Sequence, residues 1–421
     1  SRYDAKTGAS TFVIVWGKMV RIGVIGGGQL AWMMGGAAKK LGIELVVQTP
    51  SPYDPAVAIA HETIFAPVND AAATKVLATK CDIITFENEF VDIEALSILA
   101  EQGVCFRPSL QALVPLLDKY HQRCYLRDLG LPVPHFFDIK GNWREDSPTE
   151  NKQLAIESQE LGIESENLHN FSLQSKLKFP IVLKARRHGY DGQGTFVFQD
   201  IQTLQQKLES ANNLAFLLEE FIPFERELAV IAARSVDSKV VIYPIVETQQ
   251  EEQVCRRVIA PAEIPSHIQK EIENISHTLL NSLKAVGVFG IELFLSADDK
   301  VLVNEIAPRT HNSGHFSLDA CETSQFEQHL RAVSGLPLGN PNLTCPCAIM
   351  INLLGYEIST DDYITKRQKI QQIPQSYVHW YGKTESRPGR KLGHVTVLLN
   401  DQNPDEAMAI ARNIENIWYA N

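Results

Sequence analysis

Apolar residues along this chain fall mostly into short runs bounded by Gly, Pro and acidic residues, which is the pattern of buried strands alternating with helices. From Met19 the chain reads strand, Gly turn, helix, strand (VRIGVIGGGQLAWMMGGAAKKLGIELVVQTPS), and this predicts a parallel βαβ unit. Cys81 to Phe86 (CDIITF) is a further buried strand, with Glu87-Asn88-Glu89 at its carboxyl end, where open parallel sheets bind ligands. Lys119 starts a helix that Gly130 ends, and Leu131-Pro132-Val133-Pro134 then runs extended. Residues 141–178 are polar, predict one helix around Glu150 to Leu161, and read as an exposed insertion. Strands return at Phe179 to Lys184, at Leu217 to Ile222 and in a hairpin from Val288 to Ile306. Two more (AIMINLLG and HVTVLL) precede a closing helix from Pro404 to Ile417. The class is α/β.

The hairpin is the most informative stretch. Its apolar arms, Val288 to Leu295 and Val301 to Ile306, flank Ala-Asp-Asp-Lys, which reads as an even-length turn. A turn centred between Asp298 and Asp299 sets Glu292 directly opposite Glu305, and facing like charges are destabilising. A hard divalent cation such as magnesium, shared with a nucleotide, would relieve the repulsion. A register slip of one residue would instead pair Glu292 with Asn304.

Composition narrows the function. The 421 residues suffice for two or three domains, and 21% charged with 44% hydrophobic residues is a globular balance. The net charge of -11 and the lack of a long basic run disfavour nucleic acid, so an anionic substrate needs a local cation cluster. Seven Cys without a framework read as reduced thiols in a cytoplasmic protein. Cys345-Pro346-Cys347 lacks a second ligand pair for zinc. No apolar stretch has membrane-spanning length. Residues 1–18 hold only the short run Thr11 to Trp16 and are taken as an extension or expression remnant.

Two glycine-rich turns carry candidate anion chemistry. Gly26, Gly28 and Ala31 fit the G-x-G-x-x-A form of the dinucleotide fingerprint, whose helix N-terminus can meet an anion. The next strand ends Val47-Gln48 without a ribose-binding acid, so a phosphorylated ligand other than a nicotinamide cofactor is expected. Lys184 ends a strand and leads into ArgArgHisGlyTyrAspGlyGlnGly, a loop able to fold over phosphates beside a lysine point charge.

Lys184, its Gly loop, the strand ending in Glu219 and Glu220, Glu227 and the acidic hairpin follow in the order of one nucleotide site. Together with GVIGGGQLA, KARRHGYDGQG, NEIAPRTHNSGH and YGKTESRPGRKLGH, they make the chain resemble the ATP-grasp superfamily. Within it the chain resembles the 5-(carboxyamino)imidazole ribonucleotide synthetase family of purine biosynthesis, from Met19 to Asn421.

The resemblance implies an ATP-grasp fold in three parts: a Rossmann-like domain over 19–118, the ATP-grasp domain over 119–345 and a small C-terminal domain over 346–421. It implies that Lys119 and Lys184 hold ATP phosphates, and that Gly189, Tyr190, Asp191, Gly192, Gln193 and Gly194 form the closing loop. Glu219, Glu220, Phe221 and Ile222 would form the adenine strand, Glu227 would meet the ribose, and Gln250 and Asn304 would also face the nucleotide. Magnesium would sit on Glu292 and Glu305. Tyr190, Asp191, Lys184 and Arg309 would be catalytic. The ribonucleotide would meet Gly28, Gln29, Leu30, Glu87, His311, Asn312 and Ser313, with its 5'-phosphate on Lys383 and Arg390.

The reaction implied is ATP-dependent carboxylation of 5-aminoimidazole ribonucleotide by bicarbonate, through carboxyphosphate, in a cytoplasmic homodimer. Two departures stand out: Thr248-Gln249-Gln250 replaces the usual Asn-x-His, and His188 stands where the loop often has Gly. The alternatives are a formate-dependent glycinamide ribonucleotide transformylase-like or biotin carboxylase-like enzyme, and a nucleotide-sensing module without turnover.

Overall fold

A computed structural model of the chain describes residues 19–140, 178–187, 194–211 and 214–420. The extension 1–18, the helix expected near 150–161 and loop residues 188–193 lie outside the described residues.

The N-terminal βαβ pattern folds into a four-stranded parallel sheet from β1 (Val20–Ile25), β2 (Ile43–Thr49), β3 (Glu62–Phe65) and β4 (Ile83–Phe86), in the order β3-β2-β1-β4. β1 and β2 lie in the middle of the order with helices on both faces, which is why their sequences run apolar instead of alternating.

The second sheet comprises β5 (Phe136–Lys140), β6 (Ile181–Ala185), β7 (Thr195–Phe198) and β8 (Ala215–Glu220), ordered β5-β8-β6-β7 and antiparallel. The helix Ile201–Glu209 covers one face through Ile201, Leu204 and Leu208, spaced three and four residues apart, and leaves the other face open.

The third sheet has nine strands: β9 (Phe224–Arg234), β10 (Val240–Ile242), β11 (Val246–Glu251), β12 (Val254–Ala260), β13 (Gly287–Ser296), β14 (Val301–Ala307), β15 (Cys347–Leu354), β16 (Ser376–Trp380) and β17 (Lys391–Leu399). Its order is β14-β13-β9-β11-β12-β15-β17-β16, with β10 on β9. Helix Ser266–Leu283 buries Ile268, Ile272, Ile275 and Leu279 against Leu228, Val230, Ile291 and Leu293, on the order of 2 kcal/mol for each aliphatic side chain removed from water. That leaves Ala229 and the less buried Glu227, Glu292 and Phe294 on the opposite face, because side chains alternate along a strand.

Residues 346–421 continue this sheet: β15 pairs with β12, Ile349 opposite Ile259. The closing helix Pro404–Tyr419 buries Trp418, whose indole N–H donates to Leu354 O at 2.8 Å. One side chain ties the parallel sheet to the large one. His329 accepts from Val288 N at Nδ1 (3.0 Å), which leaves Nε2 to donate to Thr85 Oγ1 (2.8 Å). No helix among the described residues is long and apolar enough to cross a membrane.

Candidate active site

The acidic hairpin departs from its expected turn and still reaches its expected pairing. Near the turn Leu295 faces Val301 and Leu293 faces Val303, so the turn centres on Asp298 and is odd-length, not even-length. Continued without interruption, that register would set Glu292 against Asn304. A β-bulge at Asn304 absorbs one residue, and Glu292 stands opposite Glu305. The bulge also breaks the alternation of β14, so the adjacent residues Asn304 and Glu305 both line the cavity that Glu292 lines.

That cavity, of about 420 Å³, lies between the open face of the small sheet and the acidic face of the large one. One end is apolar, with Pro134, Val182, Phe221 and Ile222 beside the stacked rings of Phe224 and Phe294 (4.6 Å, 8°), a slot for a planar base. The other end carries Lys119, Lys184, Glu292, Asn304 and Glu305.

Lys184 Nζ lies 2.8 Å from Glu219 and 3.1 Å from Asn304 Oδ1. Burial pulls its ammonium below the usual range against the opposing charge of Glu219, with Arg123 and Lys119 adding to the shift. Glu219 is buried and also takes Arg123 at 2.9 Å. Burial would raise its carboxyl, but the two cations outweigh that and hold it low. Glu219 thus braces Lys184, while Glu220, Phe221 and Ile222 continue the wall.

Lys119 opens the helix Lys119–Asp128, capped by Asp118, which accepts from Tyr120 N and His121 N. Its ammonium reaches Glu305 at 3.5 Å. Glu227 faces the same cavity, and burial followed by the charge of Glu292 pushes its carboxyl up to about 7. Gln250 lies on the wall with Thr248.

A second cavity, of about 410 Å³, adjoins the first and shares Lys119, Glu292, Glu305, His311, Asn312 and Lys391 with it. Gln29, Leu30, Glu87 and Arg309 line it; Ser313 lines the first cavity. Gly290 lets the 311–313 loop sit on β13: a Cβ there would be 2.6 Å from that of His311. His311 Nε2 consequently stands 3.3 Å from Glu292. Burial would raise the Glu292 carboxyl, but the His311 hydrogen bond and charge, with Lys119 and Lys184, hold it low.

Gly26 and Gly28 make room for a side chain just past β4 of the same sheet, Glu87. A Cβ at either would collide with the carboxylate of Glu87, which accepts from the Gly28 backbone. Burial raises the Glu87 carboxyl to about 7 despite the charge of Arg309. Arg309 itself is paired with Glu89 at 2.7 Å.

Gly189, Tyr190, Asp191, Gly192 and Gln193 lie outside the described residues; Gly194 O accepts from Ala185 N at 2.7 Å. Lys383 and Arg390 line neither cavity. Lys383 Nζ donates to Lys391 O (2.7 Å), and Arg390 Nη1 to Glu385 O (2.6 Å).

Known proteins bear on this geometry. Residues 19–114 match the ribonucleotide synthetase preATP-grasp domain, 149–326 the ATP-grasp domain, and 348–407 the phosphoribosylaminoimidazole carboxylase C-terminal domain. The N5-carboxyaminoimidazole ribonucleotide synthase of Synechococcus elongatus is 51% identical over 401 residues, covering 94% of this chain and 95% of that protein. This chain belongs to the N5-carboxyaminoimidazole ribonucleotide synthase family. The Aspergillus clavatus synthase in complex with ATP superposes with a TM-score of 0.82 at 31% identity, covering 95% of this chain and 98% of that one. The same enzyme with ADP and 5-aminoimidazole ribonucleotide gives 0.81 at 29%, with the same coverage.

Sequence reasoning about this family site missed Arg123, Arg186, His315 and Lys391. Arg123 was within reach, four residues after Lys119 on the same helical face. Arg186 follows Lys184 at the end of β6, lines the second cavity and is pinned by Asp118 (3.0 Å) and Asp138 (2.9 Å).

Proposed function

We propose that this chain carboxylates 5-aminoimidazole ribonucleotide with bicarbonate at the expense of ATP, releasing ADP and phosphate through carboxyphosphate. The observation that carries the reading is the shared wall of the two cavities. The first pairs an apolar slot with an end where two lysines meet the Glu292–Glu305 pair, which suits a nucleotide bound with a cation; the second opens directly onto that charged end. A phosphoryl group leaving the first cavity is therefore delivered where an acceptor in the second can use the product.

Bicarbonate becomes electrophilic only when one oxygen is a phosphate leaving group, so the charge on the transferred group must be stabilised and water kept out. Lys184, immobilised by Glu219 and Asn304, and Lys119, beside Glu305, bring two cations to that end before substrate arrives. Fixed donors of this kind need little reorganisation in the transition state. Glu87, neutral below about pH 7, offers the second cavity a protonated carboxyl, and Arg309 is held in orientation by Glu89.

The donor set also fits magnesium: Glu292, Glu305 and Asn304 are hard oxygen ligands brought to one face by the bulge. Bound there with ATP, the ion would neutralise phosphate charge. The loop 189–194 would close over the phosphates, with Tyr190 and Asp191 taking part in catalysis, and Glu227 would meet the ribose. His311, Asn312 and Ser313 would meet the ribonucleotide together with Gly28, Gln29, Leu30 and Glu87. The family resemblance further supports a homodimer and the division at 118/119 and 345/346. Seven free cysteines fit a reducing, cytoplasmic compartment.

ADP release is the test, measured with each of the ribonucleotide and bicarbonate present or omitted. Stimulation requiring both is expected; an ADP rate indifferent to the ribonucleotide would overturn the assignment.

A further inference from the structure

Away from the acidic hairpin, a second set of metal-ligating side chains converges where the C-terminal strands meet the loop that carries His311. His379 of β16 and His394 of β17 are cross-strand partners, and their rings stack at 4.6 Å and 21°. Asp319, on the turn of helix Ser317–Ala320, lies over the pair with Oδ2 at 2.7 Å from His379 Nε2. One donor atom from each of the three falls within 4.8 Å of the others.

An independent observation concerns His394. The residue is fully buried, its Nδ1 is 2.7 Å from the hydroxyl of Tyr381, and its Nε2 has no hydrogen-bond partner. Buried polar atoms are nearly always satisfied, so an orphan ring nitrogen beside a second imidazole and a carboxylate points to a missing partner. When Nδ1–H donates to the Tyr381 oxygen, the lone pair of Nε2 is free. That is how a metal-bound histidine is oriented by an oxygen behind it.

We propose that Asp319, His379 and His394 bind a borderline divalent cation of the zinc type, distinct from the magnesium proposed for the acidic hairpin. Two imidazoles and one carboxylate suit zinc, cobalt or nickel and suit magnesium poorly. Zinc bonds of about 2.0 to 2.1 Å place donor atoms roughly 3.3 Å apart in a tetrahedron. His379 and Asp319 are part-exposed, at 25% and 12%, so the ion would enter from their side, displacing the proton between them, with water as the fourth ligand. The ion would tie the turn after the 311–313 loop to the edge strand β16. The ring of His315, which lines the ribonucleotide-side cavity, stands 5.0 Å from that of His394, so the ion would lie behind the wall of that cavity.

The 421-residue chain, stripped with chelator and kept in excess magnesium, is titrated with zinc by calorimetry and with cobalt by visible absorption. One equivalent of zinc with micromolar or tighter Kd is expected, and cobalt should show ligand-field bands without sulfur charge transfer. His379→Ala should weaken zinc at least about tenfold. Asp319→Asn, which keeps shape and removes only charge, should do the same if the alanine variant is poorly folded. Glu305→Gln should retain zinc binding. Absent zinc binding, a cobalt spectrum dominated by thiolate, or full affinity in both His379→Ala and Asp319→Asn would overturn the site.

Discussion

Carboxylates set the character of the site, and each answers to its surroundings. Glu305 is the more exposed of the facing pair and has Lys119 at 3.5 Å; Glu292 has His311 at 3.3 Å. Glu305→Gln keeps shape and removes one anionic ligand, so ADP release at saturating magnesium should be abolished while the fold persists. Turnover within about threefold of the parent would remove Glu305 from the metal assignment. Glu87 gives a pH prediction. Its folded carboxyl titrates near 7 against 4.5 for a free one, so the proton is held more tightly in the native state. The contribution is complete below pH 4.5 and is lost as pH rises through 7. Glu87→Gln cannot lose that proton. Its unfolding free energy relative to the parent should therefore improve by up to about 3 kcal/mol between pH 4.5 and 7.5. Parallel stability profiles in urea would contradict the burial argument.

The bulge in β14 is what sets Asn304 beside Glu305 on the cavity face of Glu292. Deleting Asn304 leaves Glu305 opposite Glu292 and restores regular alternation, so Val303 stays in the core and the hairpin still forms. What is lost is the oxygen 3.1 Å from Lys184, which is also the third oxygen proposed for magnesium. Circular dichroism should show a folded protein with ATP affinity lowered about tenfold, the worth of a hydrogen bond to a charged group. A deletion variant with parental ATP affinity would dismiss the bulge as incidental. The facing acids were legible in the sequence, but the turn was not. Odd and even turns are separated by one residue, and a bulge leaves no mark in a hydrophobic pattern that it interrupts and then restores. Strand existence was legible for the same reason that boundaries were not: burial fixes an apolar run, whereas its ends depend on partners distant in sequence. The Gly-rich turn at 26–28 shows the limit, since Gly26 and Gly28 make room for Glu87, some sixty residues on.

At the scale of the whole molecule the two cavities are assembled from all three sheets, and the C-terminal strands join the sheet that carries Glu292 and Glu305. The cation they present is Lys391, which lines both cavities, although the family pattern directs attention to Lys383 and Arg390. Adjacent residues entering a strand point to opposite faces, so GRKLGH alone cannot tell whether Arg390 or Lys391 faces the substrate. Lys383 donates to the carbonyl of Lys391 and so steadies the backbone that carries it. If Lys391 meets the 5'-phosphate of the ribonucleotide, Lys391→Ala should raise the ribonucleotide KM by one to two orders of magnitude, roughly the loss of one charge-assisted contact. Lys383→Ala should act less, through position alone, and Arg390→Ala least. Should Arg390 hold the phosphate instead, its planar fork closing on the ligand, the order reverses. Titrating each substrate separately decides between them. Lys391 borders the first cavity too, so a rise confined to the ATP constant in Lys391→Ala would assign that lysine to the nucleotide phosphates and leave the ribonucleotide to Lys383 and Arg390.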